Sequence, residues 1–281
     1  MELNRIGIIG LGLIGGSIGL DLQAKGHEVC GLVHREITAT RAQERGLAQI
    51  VSTDPTIIQD CSIVIVALPL QQLIKPTQEL INALPTNAVI TDVGSVKKPV
   101  LNKWKNLHPK FIASHPMSGT IQTGVEAGQR ELFKNKPWVA TPDHTTDPEA
   151  LKVVKNLALS LGSNWVTTDA ETHDQAVALV SHLPVFISAS LLTAVSQEKN
   201  NEILNLAKML ASGGFKDTTR IGGGNPSLGV AMAMYNSEII LKALSTYRSS
   251  IDKFEKMIFH KQWDKLEQEL ERTQSNRPDY L

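Results

Sequence analysis

Three glycines, Gly10, Gly12 and Gly15, follow the apolar run Arg5 to Ile9 and open a helical pattern that continues from Gly16 to Lys25. A G-x-G-x-x-G motif leaves few folding options when a strand precedes it and a helix follows. The first glycine permits a tight turn, the second lets a pyrophosphate approach the backbone, and the third lets helix and strand pack closely. The free N–H groups of the helix start then face an anion. The motif predicts an α/β sheet with a dinucleotide at its carboxyl edge, held by Gly10, Gly12, Leu13, Ile14 and Gly15.

The rest of the first half agrees. Strand-like runs at Glu28 to Val33, Ser62 to Leu68, Ala88 to Asp92, Lys110 to Ser114, Pro137 to Ala140 and Asn164 to Thr167 alternate with helical patterns. Those patterns cover Thr38 to Gly46, Leu70 to Ala83, Val96 to Leu107 and Pro148 to Leu161. Such alternation implies a mostly parallel, Rossmann-like sheet covered on both faces. After Ala170 apolar residues recur at helical spacing, as in Phe254, Met257, Ile258 and Trp263, Leu266, Leu270. We therefore expect a dinucleotide-binding domain over residues 1–169 and an all-helical substrate and dimerisation domain over 170–281.

Bulk properties narrow the function classes. The formal net charge is +0, so no electrostatic footprint for nucleic acid or an anionic membrane exists. Two cysteines, Cys30 and Cys61, offer neither a disulfide framework nor metal spacing, which suits a reducing cytoplasm. No metal is expected. Ala176 to Ser196 is uncharged and nearly long enough to span a bilayer. It contains His182, Pro184 and several serines without flanking basic clusters, so it reads as a buried core helix.

The end of the second strand bears on the cofactor. An acid there would bind the ribose hydroxyls of NAD, but the chain has His34 and Arg35. A guanidinium pairs with a 2′-phosphate through charge-assisted bonds. Thr38 and Arg41 lie at the start of the next helix, where a phosphate is also welcome. NADP is the expected cofactor; if Arg35 only stacks on the adenine, NAD binds too. Leu68 and Pro69 close the next strand and form a floor beside the glycine turn, or simply end that strand.

Ser95 in "TDVGSVK" and His115 in "SHPMSG" both follow strands, on the edge where a nicotinamide rests. Pro116 holds His115 in extended backbone. A neutral imidazole can take a proton from a substrate hydroxyl as hydride leaves the same carbon. Ser95 can bond that oxygen, cap a helix beginning at Val96, or both. In the helical half, His182 is a substrate contact or a core residue. Arg220, between glycine turns, is a carboxylate fork or an exposed loop residue.

These motifs together resemble the arogenate/prephenate dehydrogenases of tyrosine biosynthesis, from about Arg5 to Asp264. The residues carrying the likeness are "GIIGLGLIGGSIGLDL", "TDVGSVK", "SHPMSG", "VSHLP" and "GGFKDTTRIGGGNP". The resemblance implies oxidative decarboxylation of a cyclohexadienol, with His115 accepting the proton of the ring C4 hydroxyl. It implies that Ser95 assists that hydroxyl, that His182 and Arg220 hold the substrate, and that the helical domain forms a homodimer. The His34-Arg35 pair departs from NAD-type members and tilts the expectation to NADP and L-arogenate, with prephenate as the alternative. A β-hydroxyacid-type dehydrogenase would place a lysine on the helix after the sheet domain, and Glu171 to Glu198 contains none.

Overall fold

The computed structural model describes residues 5–120 and 122–280. The chain divides into two compact units, one ending at Asn236 and the other beginning at Ser237.

The first unit is built on a six-stranded parallel sheet of order β3-β2-β1-β4-β5-β6. Its strands are β1 (Arg5–Ile9), β2 (Glu28–Leu32), β3 (Ile50–Ser52), β4 (Ile63–Val66), β5 (Val89–Asp92) and β6 (Phe111–Ile112). Sequence order reverses direction between β1 and β4, which places the ligand crevice beyond their carboxyl ends. Strands β1 and β4 bury both faces and read as nearly unbroken Ile and Val, as parallel strands must. The edge strand β3 has no pattern in the sequence because it is three residues long and half-exposed.

Helices α1 (Leu13–Ala24), α2 (Glu36–Glu44), α3 (Leu70–Ile74), α4 (Gln78–Ala83) and α5 (Lys98–Trp104) connect these strands. The single helix expected over Leu70 to Ala83 is two helices. Pro76 lacks an N–H and biases Lys75 away from helical backbone, and Thr77 then caps α4 through the N–H of Leu80.

The strand expected over Lys110 to Ser114 also divides. After β6 the chain leaves the main sheet at Ala113 and enters a second sheet as β7 (Ser114–Pro116). There β7 pairs antiparallel with β8 (Pro137–Ala140), which pairs parallel with β9 (Asn164–Thr167). His115 is thus a strand residue in register with Val139, beyond the carboxyl end of β6. Helix α6 (Pro148–Ser160) joins β8 to β9, with Asp147 capping it at the N–H of Ala150.

No strand follows Thr167 among the described residues. Helix α7 (Ala170–Val177) is capped by Asp169 and runs through a π turn (Ala178–His182) into α8 (Leu183–Ser196). Pro184 has no N–H to return to the turn before it, and the backbone widens just ahead of it. Ala170–Ser196 is long and apolar enough to cross a membrane by length and composition alone. Within one chain it is not the buried core helix the sequence suggests: in α8 only Ser188 is fully buried. Helices α9 (Asn201–Leu210), α10 (Gly213–Thr219) and α11 (Pro226–Tyr235) complete the unit. The second unit holds α12 (Ser237–Phe259) and α13 (Trp263–Asn276), joined by an ion pair between Lys253 and Glu269 at 2.6 Å.

Candidate active site

The glycine turn has the shape a dinucleotide needs. Gly10 adopts φ +92°, and a Cβ there would lie 2.5 Å from the Ala67 carbonyl oxygen at the end of β4. A Cβ on Gly15 would lie 2.0 Å from the Gly10 carbonyl oxygen. Gly12, by contrast, faces open space, with nothing within 4 Å of where its side chain would be. Two glycines are therefore required by packing and the third by clearance. Gly12 also precedes α1, whose first N–H groups, including those of Leu13 and Ile14, have no partner within the helix. Leu68 packs against Gly10, and Pro69 starts α3. These residues fit the pyrophosphate of a dinucleotide.

At the end of β2, the Arg35 Nε donates to the His34 Nε2 at 2.9 Å, and both side chains are exposed. No carboxylate pairs with Arg35 among the described residues. Glu36 turns instead to the hydroxyl of Thr53. Thr38 lies in the first turn of α2. Arg41 is already engaged, in ion pairs with Glu126 and, at 2.9 Å, with Glu44.

The candidate reacting centre is assembled around the loop from β5 to α5. The Asp92 carboxylate accepts from the N–H of Gly94 at 2.8 Å and of Ser114 at 3.0 Å. Lys97, 0% exposed, donates from Nζ to Asp92 and to the Ser114 carbonyl, the latter at 2.7 Å. This buried pair fastens the loop carrying Ser95 to the strand carrying His115. Burial lowers the Lys97 pKa, and the Asp92 charge opposes that shift. Ser95 does not cap a helix. Helix α5 begins at Lys98, and its free N–H groups at Lys97 and Lys98 are accepted by the Asp174 carboxylate at 2.7 and 2.9 Å.

That carboxylate also anchors a chain of three buried groups. Asp174 Oδ1 bonds the His173 Nδ1 at 2.7 Å, and the His173 Nε2 bonds the His115 Nδ1 at 3.0 Å. An ionised carboxylate only accepts, so His173 carries its proton on Nδ1. A neutral His173 then has a bare Nε2, and His115 must donate to it from Nδ1. The His115 Nε2 is left with its lone pair, the form a proton acceptor requires. Burial holds His115 well below the usual imidazole range, and the nearby His173, Lys97 and His182 add to the effect. His115 is therefore neutral at neutral pH.

His182, 0% exposed, ends the π turn. The Asn236 Nδ2 donates to its Nδ1 at 3.3 Å and to the Asp174 main-chain carbonyl at 2.9 Å. The His182 proton is then on Nε2. That atom and the Ser95 Oγ are both buried without a hydrogen-bond partner. A buried unpaired donor costs about 1–3 kcal/mol unless a ligand satisfies it. The Ser95 main chain lies near enough to the His182 ring to oppose its pKa shift, though not in hydrogen-bond geometry, so the two orphaned groups belong to one region.

Burial lowers the His182 pKa to about 4, with Asp174 opposing the shift and His173 adding to it. The folded value lies below the unfolded 6.5, so the unfolded chain binds the proton first. The stabilisation is present in full above pH 6.5 and is lost as pH falls towards 4. We expect roughly 3 kcal/mol of pH-dependent stability from this residue. Urea unfolding at pH 7 and pH 5 will show it, and His182→Gln will flatten the difference. An equal slope in the variant would contradict the assignment.

Arg220 follows α10 and leads into the turn Ile221–Gly223, where the Gly222 N–H donates to the Ser188 Oγ of α8 at 2.7 Å. Its guanidinium is exposed and has no hydrogen-bond or ion-pair partner among the described residues. The structure thus joins His115 and His182 through one polar network of His173, Asp174 and Asn236, sets Ser95 beside His182, and leaves Arg220 outside it. Sequence reasoning missed Asp92, Lys97, His173, Asp174 and Asn236. The signal for two of them was present: His173-Asp174 stands at the head of an otherwise uncharged stretch.

Comparison with known proteins gives the family of this fold. Residues 18–182 match the prephenate dehydrogenase nucleotide-binding domain, and residues 169–272 match the prephenate dehydrogenase dimerization domain. The fold is similar to Synechocystis arogenate dehydrogenase, at 40% identity and a TM-score of 0.83, covering 99% of this chain and 100% of that one. It is similar also to prephenate dehydrogenase from A. aeolicus in complex with hydroxyphenyl propionate and NAD+, at 26% identity and a TM-score of 0.90, covering 99% of both chains. The prephenate dehydrogenase of Bacillus subtilis (strain 168) is 32% identical over 88% of this chain and 68% of its own length. With both family models matched and a glycine turn shaped for a dinucleotide, the chain belongs to the prephenate/arogenate dehydrogenase family, nicotinamide-nucleotide oxidoreductases of tyrosine biosynthesis.

Proposed function

We propose that this protein oxidises and decarboxylates L-arogenate to L-tyrosine with NADP. The observation that carries the chemistry is the relay from Asp174 through His173 to His115, which leaves the His115 Nε2 able to accept a proton. A bound nicotinamide nucleotide supplies the hydride acceptor. His115 takes the proton of the C4 hydroxyl as that carbon loses hydride, and the nascent carbonyl is compatible with loss of the ring carboxylate as carbon dioxide. Aromatisation drives the step, so the protein contributes orientation and one base. Ser95 and His182 contribute unpaired buried polar atoms that a substrate oxygen satisfies. Arg220 supplies a guanidinium for a substrate carboxylate.

NADP is favoured by Arg35 and His34 in place of an acid after β2, with Thr38 at the adjoining helix start. Arg41 joins them only if its bonds to Glu126 and Glu44 rearrange. Arogenate is favoured by the likeness to the Synechocystis enzyme. Prephenate is the second reading, favoured by the Bacillus subtilis relative. We also propose a homodimer. Helix α9 buries none of its residues yet exposes an apolar stripe of Ile203, Leu206 and Leu210, and α8 is largely half-exposed. A second copy would cover such faces. Two free thiols suit a cytoplasmic location.

Steady-state kinetics with both substrates and both cofactors test the reading. Arogenate with NADP should give the highest kcat/KM. Arg35→Ala should weaken NADP roughly tenfold or more, the loss of one charge-assisted contact, and leave NAD unchanged. Equal loss for both cofactors would mean that Arg35 does not read the 2′-phosphate. Higher kcat/KM with prephenate would replace arogenate as substrate.

A further inference from the structure

Away from the reacting centre, Gly7 of β1 stands between Cys30 of β2 and Val64 of β4 in the sheet register. A Cβ on Gly7 would lie 3.1 Å from the Cys61 Sγ, so the glycine leaves room for that sulfur over the strand. Cys30 pairs with Gly7 in the sheet register and the Cys61 Sγ sits over that same glycine, so the two thiols are neighbours across this gap. The Arg5 Nε donates to the Cys30 Sγ at 2.9 Å and lies 3.0 Å from Glu28, with Asp60 near its other end at 3.8 Å. A guanidinium on one sulfur of a neighbouring thiol pair is not what inert core packing requires.

We propose that Cys30 and Cys61 are a peroxide-oxidisable pair that forms an intramolecular disulfide across β1. Cys30 is the nucleophile, because Arg5 stabilises its thiolate, and Cys61 is the resolving thiol. The Cys30 thiolate attacks one oxygen of hydrogen peroxide. The O–O bond breaks, hydroxide leaves and takes a proton, and Cys30 becomes a sulfenic acid. The Cys61 sulfur then attacks the Cys30 sulfur. The S–O bond breaks, and the departing hydroxide leaves as water with the Cys61 proton. Two thiols are oxidised and one peroxide is reduced to two waters. Cys61 is 4% exposed and Cys30 0%, so only a small neutral oxidant could reach the pair. The neighbouring Cys61 thiol and the Arg5 hydrogen bond hold the Cys30 thiol below its ordinary range, against the opposing effect of burial. The closed loop, residues 31–60, carries His34, Arg35 and Thr38, so the bond would staple the segment that the proposed function sets against the ribose.

The test treats the native full-length protein with hydrogen peroxide, blocks remaining thiols, and maps peptides by mass without reductant. The expected product is a Cys30–Cys61 linked peptide two hydrogens lighter than its reduced parts. In Cys61→Ser the sulfenic acid should persist on Cys30 and take up dimedone. In Arg5→Met the oxidation should slow by roughly tenfold, as the thiolate fraction falls. If the native chain yields no link while the urea-unfolded chain oxidises, the proposal fails. It fails also if Arg5→Met reacts as fast as the parent.

Discussion

His115→Asn is expected to lower kcat by roughly 10²–10⁴-fold, the usual contribution of a positioned general base. Asparagine retains a hydrogen-bonding amide at this place but no basic lone pair. The loss should fall on kcat and kcat/KM together, because the proton is in transit only at the transition state. The cradle around Gly12 is remote from the substitution in sequence and owes nothing to the imidazole, so nucleotide affinity should be unchanged. Stopped assays of reduced nicotinamide formation, paired with a nucleotide titration, measure both. Turnover equal to the parent's would remove His115 from the chemistry. The acid limb of the parent profile should lie below pH 6.5, since burial depresses the His115 pKa and the neutral form is the active one.

Asp174→Asn should be nearly as severe, although Asp174 is a positioning residue held behind two histidines. In the parent, three donors converge on this carboxylate: His173 Nδ1 and the N–H groups of Lys97 and Lys98. An amide has one oxygen and must present N–H groups to one of them. If it faces His173, that ring accepts at Nδ1 and moves its proton to Nε2. His115 must then accept at Nδ1, and its own proton moves to Nε2, where the substrate hydroxyl needs a lone pair. A wrong tautomer of this kind is expected to cost roughly 10²–10⁴-fold in kcat, with KM little changed. An amide nitrogen in the Oδ1 place also faces the Lys97 N–H, whereas one in the Oδ2 place faces only the Lys98 N–H and keeps the relay. Either way α5 loses an acceptor, at about 0.5–2 kcal/mol of stability in a urea titration, and a shifted pH profile with lowered kcat marks the tautomeric effect. A variant with parent kcat, a parent pH profile and parent stability would refute the relay.

Much of the first unit was legible because its local signals are strong. The glycine turn needs a positive φ at Gly10 and room for the Gly10 carbonyl at Gly15, and no other residue supplies them. Strands β8 and β9 were legible to the residue. Strand β3 was not, because three half-exposed residues carry no period. The break at Ala113 was hidden for a different reason: one apolar run serves two sheets, and only pairing with β8 shows where the first ends. One of the two readings of Ser95 was a cap for a helix from Val96. The helix begins later, because a carboxylate distant in sequence supplies the acceptors.

The sequence alone determined the layered order of strands and helices, the dinucleotide turn, and the residues His115, Ser95, His182 and Arg220 as candidates, since each depends on spacing within a few positions. Only the tertiary structure decided what those residues are to one another. The Asp174–His173–His115 chain spans 58 positions between its two histidines, and Asn236 reaches His182 from 54 positions away. A tautomer is set by the group on the far side of a ring, and that group arrives through folding rather than through proximity in the chain.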